Sequence, residues 1–132
     1  MNEAETRAEL IDPALQAAGW GVVEGSRIRR EYPITLGRLE GHGRRGKPLT
    51  ADYVLEYRNT KLGVVEAKAE DLEPGAGLQQ AKDYAQILGL EFAYSTNGHG
   101  IEEWDFTTNT QTTLDAYPSP DELWQRLCAF KA

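Results

Sequence analysis

Two carboxylates and a lysine are the residues of this sequence best suited to metal-assisted hydrolysis. Glu66 and Lys68 stand two positions apart inside an apolar segment, and residues two apart on a strand share a face at a spacing of about 6.6 Å. Asp52 opens another apolar segment. A short polar turn at residues 58–61 predicts that the two segments form an antiparallel hairpin, with Asp52 opposite residues 66–68. The three side chains would then meet at the end of the hairpin away from the turn.

Two carboxylates placed in this way need a cation between them, because they repel each other by about 3 kcal/mol at a separation of about 6 Å and an effective dielectric of about 20. Lys68 or a divalent metal ion could supply that charge. Oxygen ligands favour a hard ion, Mg²⁺ or alternatively Mn²⁺, and a metal that keeps water bound suits phosphodiester hydrolysis. Lys68 would stabilise developing negative charge or position the nucleophile. A Glu-x-Lys pair on the solvent face of a strand is the ordinary alternative.

Three further residues could support this site. Gln80 and Tyr84 are four positions apart, so they share a face of the helix predicted to follow the hairpin. A core tyrosine beside a surface glutamine is the structural alternative for this pair. Glu9, on the first predicted helix, is a third candidate carboxylate for the metal, although it could instead close a capping box with Thr6.

Basic residues are concentrated in one part of an acidic chain. The 132 residues carry a formal net charge of -7, which by itself argues against a nucleic-acid partner. The stretch from residue 27 to residue 47, however, has a net charge of +5, which leaves −12 for the remainder. This segment is either a solvated loop or an arm that contacts the phosphates of double-stranded DNA. The candidate DNA-binding residues are Arg27, Arg29, Arg30, Arg38, Arg44, Arg45 and Lys47.

The hydrophobic periodicity predicts one mixed α/β layer fold. Helices are predicted within residues 3–18, with a kink or a new start near Pro13, at 78–88 before Gly89, and after the N-cap Ser119. Strands are predicted at 51–57, 62–69, 91–95, 101–106 and 111–114, and less clearly at 20–23 and 29–34. Residues 37–48 are predicted to form a loop.

Composition and motifs exclude several functional classes. No apolar run approaches the roughly 20 residues of a membrane span, and the acidic N-terminus lacks the apolar segment of a signal peptide. We therefore expect a cytoplasmic protein with no membrane partner. One cysteine permits no internal disulfide, and with two histidines it cannot form a typical zinc site. Gly41-x-x-x-x-Gly46-Lys47 approaches a P-loop, but Pro48 replaces the required Ser or Thr, so we expect no ATP site.

The combination of motifs resembles the PD-(D/E)XK nuclease superfamily with its QxxxY extension. The matching residues are Asp52, Glu66-Ala67-Lys68 and Gln80-x-x-x-Tyr84, with Ala51 where the superfamily name has Pro. More closely, nearly the whole chain resembles the N-terminal endonuclease domain of the R (restriction) subunit of type I restriction enzymes. The phrases that carry this likeness include Glu5-Thr6-Arg7, Ala18-Gly19-Trp20 and Ser95-Thr96-Asn97-Gly98.

The resemblance implies a restriction-endonuclease-like core, with a mixed sheet flanked by helices, as a single nuclease domain over residues 1–132. It implies that the chain is a fragment or a stand-alone relative of a larger restriction subunit. Asp52 and Glu66 would hold Mg²⁺, Lys68 would be the catalytic lysine, and Gln80 and Tyr84 would support Lys68 and the DNA backbone.

The implied activity is Mg²⁺-dependent DNA cleavage without intrinsic sequence specificity, within a type I restriction-modification system. The implied partners, besides DNA, are a translocase or helicase region and specificity and methylation subunits. The alternative is a catalytically silent DNA-docking or assembly module, in which Asp52 and Lys68 form an ion pair.

Overall fold

The computed structural model describes residues 1–34 and 49–132. Their strands form a six-stranded sheet in sequential order, in which β3 and β4 are parallel and the other neighbours are antiparallel. The predicted mixed sheet flanked by helices is therefore confirmed. The strands are β1 (Ser26–Pro33), β2 (Thr50–Tyr57), β3 (Thr60–Ala67), β4 (Phe92–Thr96), β5 (Ile101–Asp105) and β6 (Thr110–Leu114).

The N-terminal helix is continuous but changes its winding before Pro13. Helix α1 (Glu3–Thr6) leads through a π-helical turn (Arg7–Ile11) into α2 (Asp12–Ala17). Proline has no N–H to continue the usual hydrogen-bond ladder, and a single π-helical turn is one way a helix accommodates such an interruption. The capping box forms at Asn2, whereas Thr6 makes no side-chain cap, so the alternative box with Glu9 is wrong.

The hairpin of β2 and β3 has the predicted register. Tyr53 pairs with Val65, which places Asp52 opposite Glu66. Arg58 and Asn59 form the tight turn with positive φ angles of 53° and 58°, as a two-residue type I′ connection requires. The register then shifts by one residue between Leu55 and Glu56, so the turn and this irregularity together determine which residues meet at the far end.

Two predicted strands differ from the structure: one is shorter than predicted, and the other does not form. Strand β3 ends at Ala67, so Lys68 lies beyond the strand, where its N–H donates to the Thr96 carbonyl at 2.8 Å. Residues 20–23 form turns instead of a strand; the backbone reverses there through Gly19 and Gly21, whose φ angles are 109° and 76°. The predicted loop at 37–48 lies outside the described residues.

Helices pack on both faces of the sheet. Helix α3 (Leu78–Leu88) follows a 3₁₀ turn (Pro74–Gly77), ends at the left-handed Gly89, and covers one face through Ala81, Tyr84 and Ala85. The N-terminal helix and α4 (Pro120–Lys131) contribute to the core on the other face. Ser119 caps α4 by accepting from the Glu122 N–H, as predicted. In the part of the chain that the structure describes, no helix combines the length and apolarity needed to cross a membrane.

Candidate active site

Asp52 and Glu66 meet where the backbone ladder between β2 and β3 ends. Beyond the Tyr53–Val65 pair, the carboxylates replace the backbone acceptors: the Asp52 N–H donates to Glu66 Oε2 at 2.7 Å, and the Ala67 N–H donates to Asp52 Oδ2 at 2.8 Å. Each carboxylate is thereby held by the neighbouring strand. One oxygen of each, Oδ1 of Asp52 and Oε1 of Glu66, is outside this reciprocal pair of bonds.

Glu66 is buried and Asp52 is partly buried, which penalises the charges of both carboxyl groups. Burial, together with the neighbouring charge of Asp52, raises the pKa of Glu66 to about 8. Burial also raises the pKa of Asp52, against the hydrogen bond from Ala67 and the charge of Arg7, which lower it. A bound cation would remove this penalty, because it favours the ionised forms of both groups.

The donor set fits a hard divalent ion, although it is small. It consists of two carboxylates without nitrogen or sulfur ligands, the type of site that Mg²⁺ occupies while it retains several waters. Within residues 1–34 and 49–132, no group of three or more His, Cys, Asp or Glu side chains is arranged to hold a metal. Glu9 is exposed and belongs to no such group, whereas Glu3 lies near enough to contribute to the raised pKa of Glu66.

Lys68 lies at the same edge, against Gly77, where the 3₁₀ turn passes into α3. An ideal Cβ on Gly77 would lie 3.0 Å from Lys68 Cε and 3.4 Å from Glu66 Cβ. Gly77 is held there because its N–H donates to Ser95 Oγ at 2.9 Å. The silent-module alternative predicts an ion pair between Lys68 and Asp52. Among the described residues, however, Asp52 pairs with Arg7 at 3.7 Å and not with Lys68.

Tyr84 extends the site onto α3. Burial raises the pKa of Tyr84, and the charges of Glu66 and Asp52 add to that increase, so the phenol lies within electrostatic reach of both carboxylates. Gln80 is exposed and donates to Tyr84 Oη at 2.8 Å. The structure thus brings together Asp52, Glu66, Lys68 and the Gln80–Tyr84 pair.

Arg7 also contacts the site, although it is not among the site residues predicted from the sequence. From the π-helical turn its Nε donates to Tyr53 Oη at 3.3 Å, and its Nη2 donates to the Asp52 carbonyl at 3.4 Å. Its Nη1 lies 3.7 Å from Asp52 Oδ1 and donates to Glu31 at 2.6 Å. The sequence contains no local signal for this contact, because Arg7 and Asp52 are far apart in the chain.

The predicted DNA-binding residues are described only in part. Arg27 is exposed on β1, while Arg29 pairs with Glu56 at 3.1 Å and Arg30 with Asp12 at 3.6 Å. The three arginines contribute to the lining of a groove along β1 of about 710 Å³. The other candidates lie outside the described residues: Arg38, Arg44, Arg45 and Lys47.

Comparison with known proteins gives a consistent set of relatives. No protein-family model matches the chain. The chain is 36% identical over 141 aligned residues to the type I restriction enzyme EcoAI endonuclease subunit of Escherichia coli, with 99% of this chain and 17% of the relative covered. A fragment structure of a putative HsdR subunit of a type I restriction enzyme from Vibrio vulnificus YJ016 superposes with a TM-score of 0.92 at 46% identity, covering 99% of this chain and 26% of that one.

The chain therefore spans about a sixth of the curated relative's length. Over nearly its whole length it is homologous to a segment of the endonuclease (HsdR) subunits of type I restriction enzymes.

Proposed function

We propose that this chain is a Mg²⁺-dependent DNA endonuclease domain with a PD-(D/E)XK core, which cleaves phosphodiester bonds without sequence specificity of its own. The observation that carries the proposal is the pairing of Asp52 and Glu66 at the end of the β2–β3 ladder, in a homologue of restriction endonuclease subunits. A fold that places a buried carboxylate next to a partly buried one, without a short ion pair to either, has an electrostatic cost that a bound cation offsets. The whole restriction complex would supply the motor, specificity and methylation functions.

Each residue has a role that its position supports. Asp52 and Glu66 would hold Mg²⁺, which when bound polarises a phosphate and lowers the pKa of a coordinated water. Lys68, fixed against Gly77, would place its ammonium group against the negative charge that develops on the phosphate. Tyr84, oriented by Gln80, would support Lys68 and the DNA backbone from α3.

Cleavage of supercoiled plasmid DNA tests this assignment. Nicking and linearisation are followed on gels while Mg²⁺ or Mn²⁺ is titrated against wild type and Lys68→Ala. We expect the substitution to lower the cleavage rate by about 10²–10³-fold, as removal of a preorganised charge stabiliser does. Lys61→Ala is the matched control, because Lys61 lies at the opposite end of β3, next to the turn, and pairs with Glu56 at 4.0 Å. Equal cleavage by wild type and Lys68→Ala would remove Lys68 from the mechanism.

Calorimetry separates the metal site from the reaction. Wild type should bind Mn²⁺, and Glu66→Gln, which keeps an oxygen to accept from the Asp52 N–H, should bind it far more weakly. Absence of metal binding by wild type would refute the metal site. DNA binding without metal binding or cleavage would instead support the DNA-docking or assembly module.

A further inference from the structure

The contacts of Arg7 form an unusual set beside the proposed metal ligands. Three of them are long: 3.3 Å to Tyr53 Oη, 3.4 Å to the Asp52 carbonyl and 3.7 Å to Asp52 Oδ1. The short one, 2.6 Å, goes to Glu31. The guanidinium also lies over the Tyr53 ring, 4.9 Å from its centroid. Arg7 is thus fixed in direction by partners that bind it weakly, and its strongest partner is an anion.

Glu31 differs from those partners in its exposure and its backbone. Its side chain is 60% exposed, whereas that of Arg7 is 18% exposed. Its φ angle is 51°, a left-handed conformation that favours Gly or Asn over other residues. The register of β1 and β2 places it opposite Asp52, between the Arg30–Tyr53 and Tyr32–Ala51 pairs. A carboxylate therefore stands at the solvent side of Arg7, directly beside the site.

We propose that Arg7 is a phosphate-binding residue, and that in the DNA-free protein the Glu31 carboxylate occupies the position which a DNA phosphate takes on binding. This inference rests on the proposed function for the identity of the ligand. An arginine fork binds carboxylates and phosphates with the same planar donors. Because the Glu31 carboxylate is largely exposed, solvent screens its ion pair with Arg7, so an incoming phosphate exchanges for Glu31 at small cost, and Glu31 lowers the affinity for DNA until then.

Fluorescence anisotropy with a labelled DNA duplex of arbitrary sequence, in EDTA and over a series of salt concentrations, tests the exchange. Glu31→Gln should bind about three- to tenfold more tightly than wild type, because Arg7 no longer has a competing anion. Arg7→Gln should bind about tenfold more weakly and reduce the slope of log K against log salt by about 0.9, the value for one lost phosphate contact. Arg7→Lys should recover the slope, since it retains the charge.

The double variant Arg7→Gln/Glu31→Gln distinguishes exchange from simple charge repulsion. If Glu31 acts through Arg7, its removal gains nothing once Arg7 is gone. An equal gain in both backgrounds would mean that Glu31 repels DNA directly, and would overturn the inference. Glu122→Gln is the matched control: that side chain is 58% exposed and lies 3.8 Å from the arginine Arg126 on α4, so DNA affinity should not change.

Other results would also overturn the inference. They are an unchanged affinity for Glu31→Gln, an unchanged salt slope for Arg7→Gln in folded protein, or no DNA binding by Glu31→Gln at the lowest salt. Because these measurements use no metal, they are independent of the cleavage assay. Absence of metal-dependent cleavage by wild type would refute the proposed function alone. Unchanged DNA binding by both the Arg7 and the Glu31 variants would refute only the present inference.

Discussion

Two arginines reach from helical segments to acidic residues on the sheet, and they are satisfied to different degrees. Arg126 on α4 donates to both oxygens of Glu103 at 3.0 and 3.1 Å and to Asp105 at 2.6 Å. Its guanidinium lies 4.9 Å from the centroid of the Phe92 ring. The Tyr94 hydroxyl donates to Glu103 at 2.7 Å. Buried acceptors and charged donors match here at short distances.

Arg7 has partners of similar types, an aromatic ring, a tyrosine hydroxyl and two carboxylates, but its contacts with Tyr53 and Asp52 are long. Its short bond is made to an exposed residue, Glu31. The pKa values follow the same division: hydrogen bonds from Thr107 and Arg126 outweigh burial and lower the pKa of Asp105, whereas burial and Asp52 raise that of Glu66. The saturated cluster stabilises the fold, whereas the long contacts of Arg7 leave it able to exchange partners, as the proposal requires.

The largest expected effect is on stability, from Arg126→Gln. The change leaves Glu103 and Asp105, with side chains 5% and 7% exposed, beside each other without their cation. Breaking a buried ion pair in this way costs about 3–5 kcal/mol of the free energy of unfolding. Arg7→Gln should cost only about 1 kcal/mol, because the bonds it loses are long or exposed. Urea denaturation followed by circular dichroism measures both, and equal losses would contradict the comparison.

A second prediction concerns the pH dependence of stability, to which Glu66 and Asp105 should contribute in opposite directions. Between about pH 4.5 and about pH 8 the folded protein retains a proton on Glu66 that the unfolded chain releases. The folded state then binds more protons, so this group's contribution to stability falls as pH rises through that window. For Asp105 the pKa is lowered, so its contribution is present above the unfolded value and is lost as pH falls.

The difference between wild type and Glu66→Gln isolates the first group. Because Gln cannot ionise, the metal-free variant should lack the downward slope and be more stable than wild type at pH 8 by on the order of 3 kcal/mol. Thermal or urea unfolding at several pH values measures this difference. Parallel stability curves for the two proteins would show that Glu66 is not perturbed by its surroundings.

The pairing of Asp52 with Glu66 could be predicted from the sequence because it depends on local geometry. A tight turn after Tyr57 brings Asp52 near Glu66, and a one-residue register shift between Leu55 and Glu56, which the sequence pattern does not predict, then sets the two residues opposite each other. The position of Lys68 could not be predicted in the same way. Whether β3 ends at Ala67 depends on its parallel partner β4, whose Thr96 accepts the Lys68 N–H.

The arginine clusters could not be predicted because each depends on contacts between distant segments. Arg7 lies in the π-helical turn before Pro13, and its partner Tyr53 is 46 positions away in the chain. The sequence does indicate that Glu103 and Asp105 are buried, since both lie an even number of positions from Ile101 and therefore share its buried face of β5. Acidic residues on a buried face need a cation, but the sequence does not say that it comes from α4.

A third prediction uses glycines of the 3₁₀ turn to test how tightly the site is packed. Gly77→Ala places a Cβ 3.0 Å from Lys68 Cε and 3.1 Å from Ser95 Oγ, so Lys68 must move. The shift needed is a few tenths of an ångström, smaller than the displacement of about 1 Å that can lower a rate by about 10²-fold, and we expect a loss of plasmid cleavage of about three- to tenfold. Arg126→Gln, measured under conditions where it is folded, should cleave normally.

Gly75→Ala is the matched control in the same turn. Its added Cβ would lie 3.3 Å from Glu102 Cγ, the stem of a flexible side chain that can shift without disturbing Lys68. Cleavage by Gly75→Ala should therefore equal that of wild type, and both alanine variants should retain cooperative unfolding. If Gly77→Ala also cleaves like wild type, the site tolerates a shifted lysine, and Lys68 acts through its charge at long range instead of through a fixed position.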